Sequence, residues 1–353
     1  MKKLAMALVI VCIGAGAIAA YLYWPRGPQL QKPEWAYGVS TFKNKTAPDD
    51  GKVYTLPGST AAFTLTEIRG RDPRPGHRAP ADWYPGDHPP MPKIVAEGAG
   101  GSRKIGPCSL CHYPNGKGRS ENAGVSGLPK DYIVRQLHDM AAGRRVTAEP
   151  LKTNAKVMYG YAKALTEDEI NAAADYFSSI PWTPWIKVIE TDTAPKVRSN
   201  GGLYLPLTGA DAGTEPLGHR IVEVPVDPEH TDVLRDSRSP FIAYVPVGSV
   251  AKGKDIVTTG KGGQFAPCGT CHGADLNGNG SFPGIAARSP SYICRQLNDI
   301  KQGTRNGELT VLMKPVAAKL YEDDMLNVCA YLASRPAPAP ALTTAPSPAA
   351  AAG

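Results

Sequence analysis

Two pentapeptides place reactive side chains at a spacing with a specific chemical use: Cys108-Ser109-Leu110-Cys111-His112 and Cys268-Gly269-Thr270-Cys271-His272. Two thiols separated by two residues can add to the two vinyl groups of one porphyrin, and the adjoining imidazole can then bind its iron. On this reading Cys108, Cys111, Cys268 and Cys271 carry two covalently bound haem c groups, with His112 and His272 as proximal iron ligands. A single motif of this kind also suits a chance run, half of a zinc site or a redox dithiol. One zinc site built from both pairs does not explain why each pair has its own histidine and its own downstream continuation.

That continuation is a repeat. Tyr132-Ile133-Val134-Arg135-Gln136-Leu137 matches Tyr292-Ile293-Cys294-Arg295-Gln296-Leu297 at the same offset of 160 residues as the two motifs. The segments beginning at Met158 and Met313 then align without a gap, with five extra residues in the first copy, a loop-sized difference. Such self-similarity means one module used twice. Met158 and Met313, equivalent and ahead of the last helix of each module, are the candidates for the sixth iron ligand. A thioether opposite an imidazole raises the reduction potential and leaves no open iron position. Core packing is the alternative for both, and is the reading for the unmatched Met140 and Met325. His138 faces Asn298 in the alignment and reads as a structural or surface residue.

The elements that must position these groups are mostly helical. Lys130 to Met140 reads as helix, and Thr166-Glu167-Asp168-Glu169 as a helix start with acidic residues in its first turn. Ile170, Ala173, Ala174 and Phe177 then fall on one face, and Pro181 stops the run. The second copy repeats this from Glu322 to Ser334, ahead of Pro336. Arg135 and Arg295 face either a haem propionate or solvent, while Tyr132, Tyr292, Gln136 and Gln296 read as wall or packing residues. Cys294 and Cys329 occur in one copy only, at helix positions that can face each other, as a disulfide or as two buried thiols.

Charge and composition narrow the function classes. The 353 residues carry a formal charge of +7 without a dense Lys/Arg run, so nucleic-acid binding is not expected. Met1-Lys2-Lys3 precedes an uncharged stretch from Leu4 to Trp24, long enough to cross a bilayer. It reads as a membrane anchor, with a cleaved signal peptide as the rival; either exports the remainder to the periplasm. Cys12 lies within it, and Val11 does not suit a lipoprotein site. The expected division is 1–24 anchor or signal peptide, 25–95 irregular extension packed on the first module, 96–182 first module, 183–250 connector with a short hairpin, 251–336 second module, and 337–353 disordered tail.

On these motifs the chain resembles the class I c-type cytochromes, and among them the tandem di-haem cytochrome c4-like group, over about residues 95–182 and 251–336. The resemblance implies a mainly α chain, with two tandem class I cytochrome c domains, an irregular N-terminal extension and a partly β connector. It further implies a backbone carbonyl for each proximal histidine, from Pro283 in the second module and from Ala123, where the family has proline, in the first. The extension and connector exceed the compact family pattern and leave direct contact between the modules open. The expected function is single-electron transfer between a redox donor and acceptor, as a shuttle or as the cytochrome subunit of a dehydrogenase or terminal oxidase complex, without catalysis. The rival is a di-haem enzyme, a peroxidase or sulfur-compound oxidoreductase, which requires a displaceable distal ligand.

Overall fold

The computed structural model describes residues 32–40, 48–71 and 79–337. The Leu4–Trp24 stretch, Cys12 and residues 338–353 lie outside them. Among the described residues no helix is long and apolar enough to cross a membrane.

The first repeat is built on α1 (Lys130–Ala141), α2 (Thr153–Ala164) and α3 (Glu167–Ser179). The start of α3 follows from its sequence. The Thr166 side chain accepts from the Glu169 amide (3.3 Å) while the Thr166 amide donates to Glu169 Oε2 (2.9 Å), satisfying two otherwise orphaned donors. From that start Ile170, Ala173, Ala174 and Phe177 are buried, as their spacing requires. They pack with Ile133 and Leu137 of α1 and with Ile94 and Val95. Each large apolar side chain so buried contributes about 1.5–3 kcal/mol.

The connector holds more sheet than its sequence suggested. Strands β1 (Ile186–Glu190), β2 (Val222–Pro225) and β3 (Phe241–Val245) form one sheet with β3 in the centre. β3 is antiparallel to β2, as a hairpin reading of these two segments expects, but also parallel to β1. All four residues of β2 are buried, including Glu223. Its Oε2 accepts from Ser289 Oγ (2.8 Å) and the Ser291 amide (3.2 Å), tying the sheet to the second repeat. Desolvation raises the Glu223 pKa.

The second repeat comprises α4 (Ser249–Gly263), α5 (Pro290–Lys301), α6 (Lys314–Lys319) and α7 (Glu322–Ser334). Helix α4 kinks at Gly260, where φ is 66° and a Cβ would lie 1.7 Å from the Phe265 carbonyl oxygen. A disulfide joins Cys294 on α5 to Cys329 on α7, with a Cα separation of 5.9 Å. The two copies differ before the methionine. Met158 lies inside the twelve-residue α2, whereas Met313 follows a 3-10 turn, Glu308–Leu312, and caps the six-residue α6. The extra residues of the first copy therefore precede Met158 partly as helix rather than wholly as loop.

The extension is also more ordered than expected, and it touches both repeats. A hairpin, Val53–Thr55 with Ala62–Thr64, leads into a capped turn of helix, Leu65–Ile68. These pack around Trp83 and Tyr84 together with Leu234 of the connector, whose carbonyl accepts from Trp83 Nε1 at 2.7 Å. Asp87 pairs through both oxygens with Arg238 at 2.6 and 2.8 Å. Earlier in the chain, Glu34–Tyr37 packs on α5 of the second repeat: Tyr37 donates to Asp299 (2.6 Å) and Arg295 donates to the Ala36 carbonyl (2.6 Å).

Candidate haem sites

Each pentapeptide forms a short helical turn, Cys108–His112 and Gly269–His272 with Cys268 as its cap. In each turn the histidine Nδ1 lies 2.8 Å from a backbone carbonyl: Ala123 O for His112 and Pro283 O for His272. A carbonyl can only accept, so Nδ1 carries the proton and Nε2 is the ring nitrogen left for a metal. Burial lowers the pKa of both histidines, which favours the neutral, ligating imidazole. It raises the Cys108 thiol to about 12 and the Cys268 thiol to about 11. These cysteines sit in apolar surroundings, as the attachment points of a flat hydrophobic macrocycle must.

Two cavities open beside these turns. Cys108, Cys111, His112 and Met158 line the first, among Val125, Leu128, Ile133 and Phe177. Cys268, Cys271, His272 and Met313 line the second, among Ile256, Ile285, Leu297 and Val328. The fold thus brings each motif together with the methionine of its own repeat. Two thiols, one imidazole nitrogen and one thioether in an apolar wall are a donor set that fits haem c. The two Cys-Cys-His sets line separate cavities, which disfavours a single zinc site built from both pairs. Met140 lines the first cavity and packs in its core, and Met325 is buried in the second core. His138 lies at the surface beside Glu167, at 3.0 Å.

The cavities meet at a seam between the repeats. Tyr292, Arg295 and Gln296 of the second repeat line the first cavity, while Tyr132, Arg135 and Gln136 of the first repeat line the second. Arg145 donates to Gln136 (3.0 Å), Tyr292 (2.9 Å) and Gln296 (2.9 Å). Arg305 mirrors it, donating to Gln296 (3.1 Å), Tyr132 (3.0 Å) and Gln136 (2.9 Å). Tyr132, Tyr292, Gln136 and Gln296 are therefore wall residues that also hold the repeats in direct contact. Arg295 is not on a solvated face; it is buried and donates to the Ala36 and Ser120 carbonyls. Arg135 is half-buried and reaches the Ser281 carbonyl across the seam at 3.5 Å. Sequence reasoning passed over Arg145 and Arg305, although they stand at the same offset of the repeat. Continuing the alignment beyond Leu137 and Leu297 would have found them. Buried Lys152, which lines the first cavity and donates to the Tyr37 carbonyl at 3.0 Å, was not singled out either.

No protein-family model matches the chain. Individual relatives do. The chain is 26% identical over 235 residues to a thiosulfate dehydrogenase electron acceptor from Thiomonas intermedia, covering 65% of this chain and 78% of that protein. It is 22% identical to cytochrome c4 from Pseudomonas aeruginosa, covering 67% and 88%. Over 95 residues it is 33% identical to cytochrome c-554(547) from Halothiobacillus neapolitanus, covering 25% of this chain and 97% of that protein.

The chain belongs to the c-type cytochromes.

Within them its similarity to cytochrome c4 extends across both repeats, and its fold is mainly α. This di-haem cytochrome is an electron-transfer protein; its relatives are named as cytochromes or electron acceptors.

Proposed function

We propose that this di-haem cytochrome accepts electrons from a dehydrogenase and passes them to a second redox partner. Each haem is held within one repeat, 96–182 and 251–336. Cys108 and Cys111 would attach haem one, with His112 and Met158 as the residues that would hold its iron. Cys268 and Cys271 would attach haem two, with His272 and Met313 holding its iron. When bound, haem iron supplies a one-electron couple; the protein supplies ligation, an apolar enclosure and the spacing of the two centres. His112 and His272 keep their Nδ1 protons on fixed carbonyls, so each imidazole stays in one tautomer and orientation through oxidation and reduction. Apolar side chains make up most of both cavity walls, and Arg145 and Arg305 hold the cavities side by side.

The observation that carries this reading is the pairing, within each of two adjoining cavities, of a motif with the methionine of its own repeat. Methionine ligation from Met158 and Met313 would leave no open iron position, which would disfavour the di-haem enzyme. The site of action is the periplasm, with the N-terminal stretch as membrane anchor or cleaved leader. The name of the Thiomonas relative suggests thiosulfate dehydrogenase as the kind of donor. Stopped-flow spectra of the oxidised holo-protein test this directly. Thiosulfate alone should leave both haems oxidised, and thiosulfate with a catalytic amount of thiosulfate dehydrogenase should reduce both. Reduction by thiosulfate alone would make the chain an enzyme instead. No reduction in either case would remove this donor.

A further inference from the structure

Arg288 lies where the two histidine-supporting loops meet. Its Nε donates to the Gly284 carbonyl (2.7 Å), Nη1 to the Gly124 carbonyl (3.0 Å) and Nη2 to the Ser126 carbonyl (3.1 Å). Gly284 directly follows Pro283, whose carbonyl accepts from His272; Gly124 directly follows Ala123, whose carbonyl accepts from His112. One guanidinium thus ties together the segments that orient both imidazoles. It is 6% exposed and lies 4.1 Å over the Trp182 ring, a cation–π contact. Desolvation brings its pKa down to about 10, so it remains a cation at neutral pH.

The two loops differ in their own stiffness. Proline at 283 fixes φ of the residue whose carbonyl must face His272, and Ala123 carries no such restraint. Two of the three Arg288 hydrogen bonds fall on this less restrained loop. Trp182, which underlies the guanidinium, also abuts Gly124, where a Cβ would come within 2.8 Å of its ring. In the repeat the counterpart of Arg288 is Leu128; the first repeat reaches the second loop instead through Arg135, whose guanidinium makes one long contact, 3.5 Å, with the Ser281 carbonyl.

We infer that Arg288 is a positioning residue for haem one: by fixing the Gly124 and Ser126 carbonyls it holds the Ala123 carbonyl on His112, in place of the proline that serves His272. The inference rests on His112 being the axial ligand of haem one. Substituting Lys for Arg288 keeps the charge but removes the fork that spans two carbonyls.

The test is hydrogen exchange of the histidine Nδ1 protons, followed by NMR in the reduced holo-protein. Arg288→Lys should speed exchange at His112 about tenfold, the scale expected for losing one hydrogen bond's protection, and change His272 much less. Adding Ala123→Pro to that variant should restore slow exchange, since the Ala123 amide donates no hydrogen bond that proline would remove among the described residues. Equal acceleration at both histidines, unchanged exchange at His112, or failure of the proline to rescue would each overturn the inference. If Arg288→Lys does not accumulate, Trp182→Leu removes the supporting ring and should give the same His112-selective acceleration; its absence would likewise overturn it. Ring-current-shifted Met158 and His112 signals in the same spectra report ligation separately. If these signals are missing, the axial assignment fails and the inference falls with it; if they are present and exchange is unchanged, only the inference fails.

Discussion

At the scale of single residues, the account turns on the two thioethers. Replacing Met313 with Ala should open the distal position of haem two, lower its potential by more than about 60 mV, a tenfold change in a one-electron equilibrium, and admit external ligands such as imidazole. Met158→Ala should do the same to haem one alone. Redox titration with and without imidazole checks both, and an unchanged haem would remove its methionine from the assignment. The residues of covalent attachment were legible because the chemistry demands a contiguous spacing that no fold can disguise. The carbonyls of Ala123 and Pro283 became legible only through the family resemblance, since a backbone acceptor leaves no mark in composition. Arg145, Arg305 and Arg288 were not singled out because two of the three partners of each lie in the other repeat. A cation that reads as surface in a linear sequence becomes buried once the repeats close on it.

At the scale of elements, local signals translated well where cap and periodicity agreed. The Thr166–Glu169 box set the start of α3, and Thr166→Ala should cost about 1 kcal/mol in denaturant unfolding of the holo-protein. Helix α2 was less legible: Val157 is exposed, Met158 and Tyr159 are half-buried, and Gly160 is exposed, so no clean apolar stripe announces it. Strand β1 was missed because its partner β3 lies some fifty residues away and pairs with it in parallel, without a tight turn to signal the contact. The Cys294–Cys329 bridge closes a loop of 35 residues between α5 and α7. A Cys294→Ser/Cys329→Ser double variant should lose about 3–4 kcal/mol, read by denaturant unfolding. An unchanged midpoint would show that the bridge adds nothing to the helix packing.

At the scale of the whole molecule, the extension, connector and two repeats are joined by a few polar seams. Asp87 is held below the usual carboxylate range by its hydrogen bonds with Arg238. A depressed folded-state pKa contributes stability above the unfolded value, and that contribution is lost as pH falls through the folded one. Protection of the 53–68 segment in hydrogen exchange should therefore drop as the solution is acidified below the ordinary carboxylate range, and Asp87→Asn should flatten that dependence. Arg305→Met removes the donor to Tyr132 and weakens the seam; it should cost about 1–3 kcal/mol and split unfolding into two transitions, one per repeat. The central claim is that two six-coordinate haems sit in adjoining cavities of one chain. Potential-controlled visible spectroscopy of the purified holo-protein tests it most directly. The account predicts uptake of two electrons per chain with both haems low-spin and His/Met-ligated in both oxidation states; a single haem, or a high-spin ferric haem at either site, would contradict it.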